Sequence, residues 1–274
     1  MAKEFDWQNA QGITLHGQEW AIPSPKAVIA LVHGLGEHIG RYPHVAAHLN
    51  AHSYAVVGFD QQGHGRSGGK RGHAPTYAAL LDDVGGLLRE AELRYPALPV
   101  FLYGHSLGGN LVLNYALRRK PSIQGMVVTS PFIRETHPQS GAKVGLGKVM
   151  RSIYPSLTLP NGLELEAISR DPAVVQRYKN DPLVHDKLSA AMGIGTLEAA
   201  QWLQTFAGHL PFPTLLIHGT ADRITDPAAS VAFAERAQGD LTLRTFEGLY
   251  HETHNEPEQQ EVLATISNWL DGHV

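Results

Sequence analysis

Short, unbroken apolar runs alternate with longer segments of mixed polarity along most of the chain. The apolar runs lie at 27–32, 54–59, 100–103, 126–129 and 214–217, and the run at 241–246 alternates more between apolar and polar residues. Short apolar runs bounded by glycine or proline are typical of strands that are buried on both faces. The pattern therefore predicts a mostly parallel sheet with both faces covered.

The segments between these runs have helical patterns. The best candidates for helices lie at 42–52, 77–95, 107–119, 227–237 and 257–270. Two earlier strands, 4–7 and 12–20, are predicted to pair antiparallel through a turn at 9–12. Strands that alternate with helices indicate an α/β fold in which helices flank the sheet.

One segment, from about 133 to 210, interrupts this alternation. It contains no convincing sheet strand, but it contains several short helical patterns and a glycine-rich stretch at 141–147. We interpret residues 133–210 as a helical cap, or lid, inserted into an α/β core formed by residues 1–132 and 211–274. The length of 274 residues suits one large domain with such an insertion.

Composition and charge exclude several classes of function. The chain has no cysteine, which excludes disulfides, thiol catalysis and thiolate metal sites. The net charge is −4 and no long basic run occurs, so nucleic acid is not an expected partner. The N-terminal residues lack the apolar segment of a signal peptide, and no stretch approaches ~18 unbroken apolar residues. We therefore expect a cytoplasmic protein.

The segment Gly104-His105-Ser106-Leu107-Gly108 carries the strongest indication of chemistry. It matches G-x-S-x-G between a predicted strand and a predicted helix, where a tight turn exposes a nucleophilic serine at the carboxyl end of the strand. The two glycines let backbone segments cross closely, and the N-terminus of the helix favours an anion. We predict that Ser106 is the nucleophile.

A serine hydroxyl needs a base, and in the fold that carries this motif an acid and then a histidine follow the serine along the chain. Asp222 comes just after the apolar run at 214–217, and His251 comes just after the last predicted strand. Both are therefore expected at the same edge of the sheet as Ser106. The sequence predicts an α/β-hydrolase fold with a triad of Ser106, His251 and Asp222.

Three other residues compete for the roles of acid and base. Asp226 is also near a strand end, but it directly precedes a proline and suits a helix cap better. Asp60 ends another strand, and the glycine-rich segment after it is typical of a structural turn. His254 lies three residues beyond His251, further into the loop.

The oxyanion of an acyl-transfer intermediate needs two hydrogen-bond donors. The fold supplies one from the residue after the nucleophile, which is Leu107, and another from the loop after an early strand. That loop is His33-Gly34-Leu35-Gly36, and we assign the second donor to the backbone N–H of Leu35.

With these residues in place, the chain resembles the monoacylglycerol lipase family of α/β-hydrolases, which includes lysophospholipase-like proteins. The H-G-x-G-E-H segment at 33–38 is the most specific match, because the catalytic motifs are generic for the fold. The resemblance rests on the segments 33–38, 41–42, 60–68, 104–109, 180–183, 218–222 and 250–251.

The resemblance implies a cofactor-independent serine hydrolase that cleaves carboxylic esters, above all monoacylglycerols, to fatty acid and glycerol through an acyl-enzyme. A small-molecule lipid ester is then the expected partner. The resemblance also implies substrate-binding residues around the glycerol: Glu37, Arg41, His105, Tyr178 and His254. The spacing of Glu37 and Arg41 suits an ion pair that braces the oxyanion loop as well.

Several alternatives remain open. Within enzymes, they are a lysophospholipase or a broad-specificity carboxylesterase. Outside enzymes, the alternative is a binding protein on a hydrolase scaffold, which the intact serine, aspartate and histidine argue against. His44, His48 and His52 recur every four residues, and we interpret them as a solvated helix face rather than ligands, so we expect no metal.

The cap region contains more apolar residues than a small soluble insertion requires. Their partly helical spacing fits packing against the core. It equally fits an exposed apolar rim that makes transient contact with a membrane or micelle surface, which would make the protein peripheral at membranes. The residues concerned are Val144, Leu146, Val149, Met150, Ile153 and Leu157.

Overall fold

Residues 2–274 are described by the computed structural model, in which ten strands and eight helices form. The strands are β1 (Lys3–Gln8), β2 (Thr14–Trp20), β3 (Ala27–Val32), β4 (Tyr54–Phe59), β5 (Val100–His105), β6 (Gly125–Thr129), β7 (Thr158–Pro160), β8 (Lys187–Ser189), β9 (Thr214–Gly219) and β10 (Leu241–Phe246). The helices are α1 (Pro43–Ala51), α2 (Tyr77–Arg94), α3 (Leu107–Arg119), α4 (Gly141–Ile153), α5 (Pro172–Asn180), α6 (Ala190–Thr205), α7 (Pro227–Arg236) and α8 (Gln259–Asp271).

Eight strands form one sheet in the order β1-β2-β4-β3-β5-β6-β9-β10. Strand β2 pairs antiparallel with β1 and with β4, and the other neighbours in the sheet pair parallel. Parallel neighbours need crossover connections, and helices supply them. The prediction of a mostly parallel sheet flanked by helices is confirmed.

The apolar runs form central strands because their alternate side chains serve two separate cores. In β3, Val28 and Val32 belong to the core that α2, α3 and α7 cover, whereas Ile29 and Leu31 belong to the core beneath α1 and α8. All six residues of β3 are buried, and so are all six of β4. This is the burial that a strand covered on both faces requires.

The insertion at 133–210 contributes no strand to the eight-stranded sheet. It contains α4, α5 and α6, while β7 and β8 pair antiparallel with each other. Helix α6 adds Met192 and Leu203 to the core beside α2 and α3. The division of the chain into a core and a cap stays a prediction.

The candidate residues follow strands whose carboxyl ends meet at one edge of the sheet. Ser106 directly follows β5, Asp222 follows β9 and His251 follows β10. The loop that contains Leu35 follows β3, which pairs parallel with β5. The carboxyl edge of a parallel sheet is where open α/β folds bind their ligands.

Candidate active site

Ser106 lies on a strained turn between β5 and α3. Its φ of 53° and ψ of −115° fall outside the regions that a side chain-bearing residue favours. A Cβ on Gly104 would lie 2.4 Å from the carbonyl oxygen of Gly108, and a Cβ on Gly108 would lie 2.1 Å from that of Val32. Both positions therefore require glycine, and the close crossing holds the serine at the sheet edge.

The two predicted oxyanion donors lie on either side of this crossing. Leu107 is the first residue of α3, and Leu35 lies in the loop after β3. Within residues 2–274, the N–H of Leu35 donates to no backbone acceptor, and that of Leu107 donates to none outside α3. N–H groups at the first turn of a helix have no partner within the helix, so the Leu107 N–H is available to an anion.

His251 and Asp222 form a short, buried hydrogen bond. The distance from His251 Nδ1 to Asp222 Oδ2 is 2.7 Å. The other carboxylate oxygen, Oδ1, accepts from the backbone N–H groups of Ile224 at 2.7 Å and Thr225 at 3.0 Å. The carboxylate is thus fixed from both sides, and it fixes in turn the ring orientation and tautomer of His251.

Two further side chains hold Asp222, and neither contact was predicted from the sequence. Thr225 Oγ1 donates to Asp222 Oδ2 at 2.9 Å, and His218 Nε2 lies 3.1 Å from the same oxygen. His218 is fully buried, and its Nδ1 lies 2.7 Å from Ser230 Oγ. The position of His218 in the H-G-T-A-D segment, four residues before the acid, is the sequence feature that could have indicated this contact.

Strand β6 connects the serine turn to the histidine loop. The backbone N–H of Ser106 donates to the Thr129 carbonyl at 3.0 Å, and Ser130 Oγ donates to the His251 carbonyl at 2.7 Å. The ring of His105, which directly precedes Ser106, lies 4.8 Å from the ring of His251 between centroids. The backbones of the candidate nucleophile, Ser106, and of the candidate base, His251, are therefore both hydrogen-bonded to residues at the end of β6.

The electrostatics suit a base that acquires positive charge. Burial alone would raise the pKa of Asp222, but the charge of His251 and hydrogen bonds from His218 and His251 hold that pKa well below its usual range. Burial would lower the pKa of His251, but Asp222, and then Glu252 and Glu37, raise it. The pKa of His105 falls to about 4 because of burial and the neighbouring His251.

The competing residues have structural roles. Asp226 caps α7, since its side chain accepts from the backbone N–H of Ala228 at 2.9 Å. The Asp60 carboxylate accepts from the backbone N–H groups of Ile39 at 2.8 Å and Arg66 at 2.7 Å. Both carboxylates are thus occupied by backbone donors, as a helix cap and a turn require.

A buried group of polar side chains lies beside Gly34, close to Ser106, and we call it the Arg41 cluster. A Cβ on Gly34 would lie 3.2 Å from Ser106 Cβ and 2.9 Å from Glu37 Oε1. Glu37 of the cluster and the nucleophile therefore both lie against Gly34. The Arg41 cluster consists of Glu37, Arg41, Tyr42 and Glu252.

Two carboxylates share the single guanidinium of this cluster. Arg41 Nη1 donates to Glu37 Oε2 at 2.7 Å and to Glu252 Oε1 at 2.6 Å, and Nη2 donates to Glu252 Oε2 at 2.7 Å. Burial alone would raise the pKa of Glu37, but the charge of Arg41 holds it well below its usual range. The expected ion pair of Glu37 and Arg41 is present, and Glu252 joins it.

Glu252 was not predicted from the sequence. It directly follows the base candidate His251, but it meets Arg41 across 211 positions of the chain. Asn255 Nδ2 also donates to Glu252 Oε2 at 2.8 Å, so the side chain is fixed within its own loop. No local pattern indicates such a pairing.

The remaining candidates for substrate binding surround this cluster. The Arg41 guanidinium lies 4.6 Å from the centre of the Tyr178 ring, which α5 carries. His254 is fully buried and stacks on Tyr42 at 5.0 Å, and neither ring nitrogen has a hydrogen-bond partner among residues 2–274. His105 Nδ1 lies 3.1 Å from Thr129 Oγ1. Contact of these residues with substrate stays a prediction.

The histidines of α1 do not form the expected solvated face. His44 Nε2 donates to the His254 carbonyl at 2.9 Å, and His48 Nε2 lies 3.1 Å from Ser267 Oγ of α8. That expectation was wrong, because α1 packs toward α8 through this side. Residues 2–274 contain no group of three or more His, Cys, Asp or Glu side chains arranged to hold a metal ion.

No helix in the described part of the chain has both the length and the apolar character needed to cross a membrane. Exposed apolar side chains nevertheless concentrate on and beside α4, none of whose residues is buried. Leu146 is 61% exposed, Val149 53% and Ile153 73%. Exposed apolar groups so close together form a patch rather than scattered surface residues.

Comparison with known proteins gives consistent results. The family model described as serine aminopeptidase, S33, matches residues 23–258. A monoacylglycerol lipase of Mycolicibacterium smegmatis is 38% identical over 274 residues, which cover 99% of this chain and 98% of that protein. An uncharacterized abhydrolase domain-containing protein of Dictyostelium discoideum is 40% identical over 253 residues, which cover 91% of this chain but 27% of that protein.

A solved structure agrees over nearly the whole chain. The crystal structure of Paleococcus ferrophilus monoacylglycerol lipase superposes with a TM-score of 0.88 at 37% identity, covering 95% of this chain and 99% of that one. Fold and site thus define an α/β-hydrolase. The chain belongs to the serine aminopeptidase S33 family, and it is a carboxylic ester hydrolase. The resemblance found in the sequence is confirmed.

Proposed function

We propose that the protein is a monoacylglycerol lipase in which Ser106 is the nucleophile, His251 the general base and Asp222 its orienting acid. The observation that carries the proposal is the 2.7 Å hydrogen bond between His251 Nδ1 and Asp222 Oδ2, at the same sheet edge as the strained Ser106 turn. A hydrogen bond at Nδ1 leaves Nε2 to take the proton of the nucleophile.

The reaction follows from these positions. Ser106 Oγ attacks the ester carbonyl while His251 accepts its proton, and the backbone N–H groups of Leu35 and Leu107 stabilise the oxyanion. His251 then donates that proton to the leaving alkoxide, which departs as an alcohol. A water molecule that His251 deprotonates then attacks the acyl-enzyme, and His251 returns that proton to Ser106 Oγ as the fatty acid leaves. Each step uses the chain's own groups.

Glycerol as the leaving group is supported by the surroundings of Ser106. The Arg41 cluster lies beside Gly34, which adjoins Ser106, and Tyr178 packs on Arg41. The ring of His254 stacks on Tyr42 of the cluster and lies 4.8 Å from the ring of His105. A site built to hydrogen-bond hydroxyls disfavours substrates that lack them, because its own polar groups are left without partners. The alignments with two proteins named monoacylglycerol lipase cover 98% and 99% of those proteins' lengths.

We also propose that residues 133–210 act as a lid over the core and that α4 touches the lipid surface from which substrate enters. The exposed side chains of Leu146, Val149 and Ile153 support this contact. Insertion of an amphipathic face a few ångströms into the headgroup region needs no membrane-spanning helix. Location in the cytoplasm stays a prediction of the sequence.

Hydrolysis rates over a set of esters of the same fatty acid test the proposed function. We expect kcat/KM for the monoacylglycerol to exceed that for the diacylglycerol and the lysophospholipid. Tyr178→Phe removes one hydroxyl, and we expect it to lower kcat/KM for the monoacylglycerol by about 1–3 kcal/mol in activation free energy. The p-nitrophenyl ester, which lacks glycerol hydroxyls, should change much less. Equal losses on both substrates would contradict the assignment of glycerol to this site.

A further inference from the structure

The Arg41 guanidinium is already engaged by protein groups. Three of its N–H···O hydrogen bonds, all between 2.6 and 2.7 Å, go to Glu37 and Glu252. The ring of Tyr178 lies 4.6 Å from the guanidinium. Only 10% of the arginine side chain is exposed, against 3% for Glu37 and 4% for Glu252. A phosphate that entered the site would have to displace a carboxylate to bind this arginine.

The charge around Arg41 is negative in sum. Two carboxylates face one guanidinium, and the depressed pKa of Glu37 keeps its carboxylate ionised at neutral pH. His105 and His254 add no compensating charge, because burial first, and then nearby histidines, lower the pKa of His105 to about 4 and that of His254 well below its usual range. His251, whose pKa is raised, is already paired with the carboxylate of Asp222. Buried charges of this kind are screened weakly by salt.

We propose that Glu252 determines head-group specificity: the acidic excess that it creates around Arg41 admits esters of neutral alcohols and excludes esters whose alcohol carries a phosphate. The proposal rests on the proposed function, since it concerns the leaving-group side of the same site. Glu252 acts through its charge and its hold on Arg41. It is a second carboxylate on an arginine that one carboxylate would already neutralise.

The physical reason is the cost of placing like charges together where water is scarce. A phosphate near Glu37 and Glu252 loses hydration and meets net repulsion, whereas a neutral glycerol hydroxyl meets no such repulsion. Discrimination of this type comes from an element that repels the wrong substrate, in addition to contacts that favour the right one. The position of Glu252 next to His251 brings that repulsion close to the scissile bond.

A matched pair of substrates tests the proposal: 1-octanoylglycerol and 1-octanoylglycerol 3-phosphate, both at monomeric concentrations. We expect the wild type to hydrolyse the neutral ester with a kcat/KM more than about tenfold above that of the phosphate ester. Glu252→Gln keeps the size of the side chain and one acceptor for Arg41 but removes the charge. We expect it to reduce the ratio of the two kcat/KM values by about tenfold.

Glu256→Gln is the matched control. Glu256 is also fully buried, lies in the same loop and pairs with an arginine, Arg170, at 2.5 Å, but it lies outside the Arg41 cluster. This variant should keep the wild-type ratio. If both variants change the ratio equally, the effect comes from the loop and the proposal is overturned.

Failure of this inference can be told apart from failure of the proposed function. Equal kcat/KM of the wild type on the neutral and phosphate esters overturns the inference without any variant. A ratio that Glu252→Gln leaves unchanged overturns the role of Glu252 while the lipase assignment stands. If the wild type cleaves p-nitrophenyl octanoate but neither glycerol ester, the proposed function itself is wrong.

Discussion

Glu37 accepts a 2.6 Å hydrogen bond from the backbone N–H of Gly34, the residue directly before the predicted oxyanion donor Leu35. The same carboxylate oxygen accepts from the Tyr42 hydroxyl at 2.7 Å, and the other accepts from Arg41. One buried side chain thus connects the Arg41 cluster to the loop whose N–H must point at the reacting carbonyl.

Glu37→Gln should therefore impair catalysis on every ester. The amide presents donors to groups that are themselves donors, and hydrogen bonds to a charged partner are worth about 1.5–3 kcal/mol. We expect kcat for p-nitrophenyl butyrate and for monoacylglycerol to fall by roughly 10- to 100-fold together. Glu4→Gln, at an exposed ion pair with Arg66, is the control and should keep full activity. Wild-type kcat in Glu37→Gln would show that the carboxylate does not position the loop.

Asp222→Asn tests the choice of the acid. The amide can stabilise the wrong tautomer of His251, and we expect turnover to fall by about 10⁴-fold. Asp226→Asn and Asp60→Asn should keep turnover within a few-fold and lower the thermal midpoint, since these carboxylates hold backbone N–H groups. Steady-state kinetics and thermal melts of the three variants separate the two effects. A severe loss of turnover confined to Asp226→Asn would show that Asp226, and not Asp222, is the acid.

The acid limb of the pH–rate profile should report His251. The imidazole must be neutral to accept the serine proton, so kcat/KM falls as pH drops through its pKa. Asp222 and Glu252 raise that pKa above its ordinary value of 6.5, which places the limb above that pH. Glu252→Gln removes one of the charges and should move the limb to lower pH, whereas Glu256→Gln should not. If the acid limb of Glu252→Gln stays in place or moves to higher pH, the proposed charge interaction between Glu252 and His251 is contradicted.

Leu146→Ser combined with Ile153→Ser tests the contact of α4 with lipid. We expect weaker association with liposomes in a flotation assay and a larger loss of turnover on long-chain than on short-chain monoacylglycerols. Leu93→Ser is a suitable control, because Leu93 is 75% exposed but lies on a different helix, α2. If the double variant and the control bind liposomes equally, α4 does not make the contact.

The serine turn was predictable because its determinants are local. The two glycines and the serine lie within five residues, and their position between an apolar run and a helical pattern predicts the tight turn that the structure shows. The strands were predictable for the same reason, since continuous burial leaves a continuous apolar run. The acid and the histidine followed from the strands that precede them.

The Arg41 cluster was only partly predictable. Glu37 and Arg41 are four positions apart, so their pairing has a local signal. Glu252 and Arg41 are brought together only by the packing of the loop after β10 against the loop after β3. The exposure of α4 was equally undecided, because the same helical spacing fits a face packed on the core and a face left open.

Covalent labelling of the nucleophile tests the central claim most directly. We expect a fluorophosphonate to add to the wild-type protein with a stoichiometry of one. Mass spectrometry should place the adduct on the peptide that contains Ser106. The loss of monoacylglycerol hydrolysis should be proportional to the fraction of protein labelled. Ser106→Ala should fold, take no label and lose activity by several orders of magnitude. Label on another residue, or near-normal hydrolysis by Ser106→Ala, would contradict the account.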